Sequence, residues 1–190
     1  MTLSRNEFKV LYALDKDPGA SQRATAETAG VSVGTVNRLI RQFEDMGLMD
    51  CCALTAEGEA ALAPYRVDNA VIMAAGLSSR FVPLSYEKPK GLLRVRGEVL
   101  IERQIRQLRE AGIDDITVVV GYMKEAFFYL EEKYGVRIAV NPDYAKRNNN
   151  STLMLVRERL GNTYVCSSDD YFSENVFERY VYEAYYAASY

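Results

Sequence analysis

Residues Val71 to Leu93 read VIMAAGLSSRFVPLSYEKPKGLL, and the fold of the chain is decided in this stretch. An apolar run, Val71 to Ala75, has the length of a buried strand and gives way at once to small residues. Ala74, Ala75 and Gly76 let a ligand approach the backbone closely, and the composition of Gly76 to Ser79, with Ser78 and Ser79, is that of a loop able to turn its N–H groups toward a triphosphate. Arg80 and Lys90 follow as two cations, one a bidentate fork and the other a point charge. Either cation alone would read as a solvated side chain beside a glycine turn. Together, ten residues apart and with Pro89 stiffening the approach to Lys90, they describe a site for a chain of phosphates.

Outward from this stretch the pattern alternates. Apolar runs at Ile116 to Val120, Val136 to Val140 and Tyr164 to Cys166 are separated by helical spacing at Leu100 to Ala111, Lys124 to Tyr134 and Ser151 to Leu160. Such alternation signals an α/β fold with a parallel sheet, in which ligands collect beyond the carboxyl ends of the strands. Neither the Walker A spacing nor G-x-G-x-x-G is present, which disfavours P-loop kinases and dinucleotide enzymes.

The pattern A-A-G-x-x-x-R followed by P-K resembles the signature loop of nucleotidyltransferases, and within them the bacterial CTP:phosphocholine cytidylyltransferases. Further support comes from GEVLIERQI at Gly97, VGYMKE at Val120 and NPDYAKRNNNSTLML at Asn141. The resemblance runs from about Asn69 to the chain end and implies a Rossmann-like α/β/α domain. It also implies transfer of CMP from CTP to phosphocholine or another phosphomonoester, with Mg²⁺ as cofactor and Arg80 and Lys90 as the catalytic cations. Asn149, Asn150 and Ser151 would approach the base, although Ser151 also reads as a simple helix cap. Asp169, at the end of the run Tyr164 to Cys166, would hold the metal. Ser167 stands where the family often has Asp, and Asp170 where it often has Asn, the latter reading better as a turn cap than as a ligand.

Residues 1 to 66 form a separate, mostly helical segment. Ser4 and Glu7 make a capping box ahead of Phe8, Leu11 and Leu14; Ser21 opens a second helix closed by Gly30; Ser32 caps a third that carries Val36, Leu39, Ile40 and Phe43 on one face. A short apolar stretch from Leu48 to Leu54 and a Thr55-capped helix complete the order, which resembles the winged helix-turn-helix domains of MarR-like regulators. That resemblance implies DNA contact by Ser32, Thr35, Asn37, Arg38 and Arg41. Charge opposes it: seven Lys/Arg stand against nine Asp/Glu in this segment, a net −2, so dimerisation is the competing role.

The domains are therefore expected at 1–66 and 67–190. No apolar run is long enough for a bilayer and the amino terminus lacks a secretion signal, so a cytoplasmic protein with no membrane partner is expected. Cys51, Cys52 and Cys166 suggest reduced structural thiols, and the absence of histidine removes the commonest general base. After Asp170 a helix bearing Glu174, Glu178 and Glu183 is expected, then a tail with Tyr180, Tyr182, Tyr185, Tyr186 and Tyr190. The rings suit either a cation–π cage for choline or a core lacking its partner strands. The family continues well beyond this length, which implies a chain truncated before its acceptor half and prone to form a homodimer. A regulator sensing CTP or CDP-choline, or a transferase for sugar-1-phosphates, are the alternatives.

Overall fold

The computed structural model describes residues 2–51, 53–77, 82–145 and 149–186. They fall into two compact units, one formed by the first 66 residues together with those from Tyr180 onward, the other by Val67–Arg179.

In the helical unit, helix α1 (Arg5–Lys16) begins at the expected capping box, with Ser4 accepting from the Glu7 N–H and Glu7 accepting from the Ser4 N–H. Helix α2 (Gln22–Ala29) is capped by Ser21 and closed by Gly30, whose φ of +64° is the left-handed conformation glycine adopts without strain. Helix α3 (Val33–Asp45) is capped by Ser32 and buries Val36, Leu39 and Phe43. Strands β1 (Met49–Asp50) and β2 (Ala53–Leu54) form a minimal wing, followed by α4 (Ala56–Leu62) with Thr55 as its cap. Gly58 is required here, because a Cβ at that position would lie 2.2 Å from the Leu48 carbonyl oxygen.

The tail completes this core. Tyr180 pairs with Arg66 in an antiparallel bridge, and the Val181 N–H donates to the Tyr65 carbonyl at 2.7 Å. Tyr180 is buried with Leu11, Leu39 and Phe43, and it meets Tyr12 edge-on at 5.3 Å. Tyr182 stacks on Tyr65 with ring centres 5.6 Å apart and touches Phe8. The expectation that these tyrosines lack partners or cage a ligand is therefore corrected for Tyr180 and Tyr182, which are core residues of the helical unit.

In the second unit, β3 (Asn69–Ala74) leads through α5 (Leu84–Glu87) and a 3₁₀ turn, Lys90–Leu92, into the hairpin β4 (Arg94–Val95) and β5 (Glu98–Val99). Helix α6 (Leu100–Glu110) follows, then β6 (Ile116–Val120), a 3₁₀ turn Lys124–Phe127, α7 (Tyr129–Tyr134), β7 (Arg137–Val140), α8 (Asn149–Leu155) and β8 (Thr163–Ser167). The sheet runs β7-β6-β3-β8, all neighbours parallel. Strand β6 is buried at every residue, as a strand covered on both faces must be. Helix α6 buries Leu100, Ile101, Ile105 and Leu108, and its Glu102 accepts from Tyr129, Lys133 and Tyr134 to hold α7.

Three local expectations change. The helix expected over Lys124 to Tyr134 is split into a 3₁₀ turn that buries Phe127 and the helix α7 that buries Leu130. Helix α8 already includes Asn149, so Ser151 lies within the helix and not at its cap. The segment after Asp170 is irregular, with no helix over residues 171–186. Its carbonyls are taken by α6: Arg103 donates to Phe172 and Ser173, and Gln107 to Phe172 and Glu174. A helix would need those same acceptors.

Candidate nucleotide site

The order in which strands are added reverses between β3 and β8. From β3 the chain builds outward through β6 and β7, then returns to place β8 on the opposite side of β3. Connections leaving in opposite directions open a crevice at the carboxyl ends of such a pair. Met73 pairs with Ser167 and Ala74 with Val120, and the Tyr122 N–H reaches the Ala75 carbonyl. The ends of β3, β6 and β8 therefore share one rim.

Lys90 and Asp169 meet there. Lys90 opens the 3₁₀ turn after Pro89, and its Nζ lies 3.2 Å from Asp169 Oδ2, a half-buried pair 79 residues apart in sequence. The close approach depends on Gly91, where a Cβ would fall 2.8 Å from the Ser168 Cβ. Asp169 Oδ1 accepts from the Ser167 hydroxyl at 2.6 Å. Burial raises the Asp169 pKa, but the Ser167 hydrogen bond and Lys90 outweigh it, and the carboxyl ends below its ordinary value. Asp170 shifts the other way, through burial and then repulsion from Asp169. Neighbouring acids are thus tuned apart, one held as an anion and the other made reluctant to ionise.

Ala74 and Ala75 are buried at the rim, and Gly76 is exposed with no atom within 4 Å of where its Cβ would stand. Ser78, Ser79 and Arg80 lie outside the described residues, as does the side chain of Asn149. Asn150 is exposed in the first turn of α8, and Ser151 Oγ accepts from Asn141 at 3.3 Å. Asn141, 3% exposed, also donates to Thr152 and accepts from the Asp143 N–H, so it fixes the start of α8 to the end of β7. Asn141 opens the NPDYAKRNNNSTLML motif, but this role was not read from it; an asparagine closing an apolar run was the available signal. Gly121 was missed too. It leaves room for Tyr144, whose Cβ would lie 2.6 Å from a Cβ there. Cys166 is buried behind the site, its thiol pushed up to about 12 by desolvation, so it offers no nucleophile.

Residues 70–184 match the MobA-like NTP transferase domain. The chain belongs to this family. Residues 3–48 match a winged helix-turn-helix DNA-binding family, so this transferase domain carries a winged helix ahead of it. Among relatives of the transferase, a choline-phosphate cytidylyltransferase of Streptococcus pneumoniae is 50% identical over 109 residues, 57% of this chain and 48% of the relative. A 2-aminoethylphosphonate cytidylyltransferase of Lancefieldella rimae is 44% identical over 114 residues, 58% of this chain and 46% of that protein. A solved structure of the CTP:phosphocholine cytidylyltransferase from Streptococcus pneumoniae superposes with a TM-score of 0.58 at 49% identity, covering 60% of this chain and 50% of the other. The chain thus spans about half the length of the curated relatives it matches.

On α3, the residues read as DNA contacts divide by geometry. Ser32 is occupied as the cap and bonds Thr35, while Asn37 donates to Gln22 and Arg38 to Gln42, one turn along the same helix. Arg41 is exposed between them and Asp45. Asn37, Arg38 and Arg41 line one face of α3, and the Ser32 and Thr35 hydroxyls bond each other at its start. No helix among the described residues is long and apolar enough to cross a membrane.

Proposed function

We propose that the transferase domain moves CMP from CTP to phosphocholine and releases pyrophosphate. The observation that carries this reading is the Lys90–Asp169 pair at the switch point of the sheet, a cation and an anion set at 3.2 Å beside a rim of small residues. A phosphomonoester oxygen attacks the α-phosphorus while the bond to the β-phosphate oxygen breaks. The attacking group has a second pKa near 6. It is therefore largely dianionic at neutral pH and needs no general base, which suits a chain without histidine.

Lys90 lies where it can neutralise phosphate charge as two anions approach, and the exposed backbone at Gly76 leaves space for the nucleotide. Arg80 is proposed to join it, with Ser78, Ser79, Asn149, Asn150 and Ser151 around the nucleotide. Asp169 is a hard oxygen donor kept ionised. A single ionised carboxylate at this place suits Mg²⁺, which takes one or two carboxylates and draws its other ligands from water and phosphate. Bound there, Mg²⁺ would offset phosphate charge.

Pyrophosphate release on the full-length protein, with CTP and a panel of phosphocholine, 2-aminoethylphosphonate and a sugar-1-phosphate, tests both donor and acceptor. Turnover with phosphocholine that falls about 100-fold or more in Lys90→Ala supports the reading, by the usual worth of one transition-state donor. Unchanged turnover in that variant sinks the site, and preference for another acceptor moves the substrate.

The outward face of α3 supports a second role, DNA contact through Asn37, Arg38 and Arg41 by the winged helix. With net charge −2 over residues 1 to 66, few phosphates can be neutralised, so retention on DNA should show a shallow salt dependence and be lost in Arg41→Ala. Equal retention by that variant would leave dimerisation as the role of this unit.

A further inference from the structure

The turn that carries Asp169 is closed by a side chain from another element. Ser167 and Asp170 are its first and last residues, with the Asp170 N–H donating to the Ser167 carbonyl at 3.3 Å. Gln104 of α6 sets its amide nitrogen 2.7 Å from the Ser167 carbonyl and 3.0 Å from that of Asp170. Both amide hydrogens are therefore committed to the two carbonyls that bracket Asp169. The residue is 1% exposed, and its own Oε1 is buried with no partner. Flipping the amide would set that oxygen against two carbonyl oxygens, so the orientation is forced.

An amide oxygen buried without a partner is a cost that a methionine or leucine at the same place on α6 would avoid. What only the amide can do is hold both ends of the Asp169 turn. We infer that Gln104 is a positioning residue that fixes the Asp169 carboxylate for Mg²⁺–nucleotide binding. This rests on the function proposed above. The two side-chain ties, Ser167 to Oδ1 and Lys90 to Oδ2, orient the carboxylate within the turn, and Gln104 sets the turn itself against α6. Gln107, one helical turn on, provides an internal control. It makes the same kind of double donation, to Phe172 and Glu174, past the acidic turn.

The test is calorimetric titration of CTP into the full chain over a series of Mg²⁺ concentrations, for the wild type, Gln104→Met, Gln104→Glu and Gln107→Met. Gln104→Met should raise the Mg²⁺ concentration that gives half the gain in CTP affinity by about tenfold, as loss of an outer partner of a metal ligand does. Affinity without Mg²⁺ should stay as in the wild type. Gln104→Glu should raise it further, because a carboxylate would face two carbonyl oxygens, and it supplies the same reading should the methionine variant not fold. Gln107→Met should leave the Mg²⁺ midpoint in place even where it lowers the melting temperature. A wild-type midpoint in the Gln104 variants, or an equal shift in Gln107→Met, overturns the inference alone. A wild type that binds no CTP overturns the functional reading and this inference with it.

Discussion

Each unit is completed by a segment far along the chain, and the two segments bring opposite chemistry. To the helical unit, the residues from Tyr180 bring aromatic rings that stack on Tyr65, pack at a tilt against Phe8 and fill the space beside Leu11 and Leu39. To the rim of the sheet, the end of β8 brings carboxylates, one of which meets Lys90. Ring burial adds stability, and its geometric demands are broad. Charge burial costs desolvation and repays it only where partners are set in place, which is how a site is prepared for a charged ligand. The first closure serves the fold, and under the proposed function the second serves the chemistry.

The largest effect expected of a single change falls on the helical unit. Tyr180→Ala removes a buried ring from its core and should cost about 3–5 kcal/mol, the usual range for a large aromatic truncated to alanine. Hydrogen exchange resolved by region should then show protection lost from α1 to α4, with β3 and β6 unaffected. Loss in the sheet instead would break the division between the units.

Gly91→Ala acts on the other closure. A Cβ 2.8 Å from that of Ser168 forces the 3₁₀ turn and the β8 end apart, at about 1–3 kcal/mol for an overpacked contact. Because the displaced residue is the neighbour of Lys90, CTP affinity should fall by more than the melting temperature suggests, and Ser168→Gly should restore part of it. Full affinity in Gly91→Ala would show that the Lys90 position tolerates the shift.

Asp170→Asn should have the smallest effect and sharpens the electrostatic side. Asp169 has a lowered folded pKa, so its stabilising contribution is present above the unfolded value and lost as pH falls through the folded one. Asp170 has a raised folded pKa, so it favours the fold at low pH and that contribution is lost as pH rises through the folded value. The two oppose each other. Asp170→Asn should therefore raise the melting temperature slightly at neutral pH and steepen the loss on acidification; a lower melting temperature at neutral pH would contradict the assignment.

Much of this was legible in the sequence where the signal is local. The caps at Ser4, Ser21, Ser32 and Thr55 and the turn at Gly30 were readable because a cap is written within four residues. The acids after a short apolar run marked the end of β8 as a place to look, and the family resemblance picked out Asp169 between them. The features that escaped depend on partners remote in sequence. The path after Asp170 carries helix-like spacing, but Arg103 and Gln107, more than 60 residues earlier, capture its carbonyls. Tyr180 and Tyr182 read as rings without a home because their neighbours, Phe8, Tyr12 and Tyr65, lie in the other segment. Gln104 and Gln107 did leave a trace, as uncharged polar residues on the apolar face of α6 beside Ile101, Ile105 and Leu108.

The central claim is that Lys90 and Asp169 face one nucleotide. CTP titrated into the wild type, Lys90→Ala and Asp169→Asn, each with and without Mg²⁺, addresses it directly. The account predicts that Lys90→Ala weakens binding under both conditions, whereas Asp169→Asn weakens it only when Mg²⁺ is present. Wild-type affinity in either variant in the presence of Mg²⁺ would contradict it.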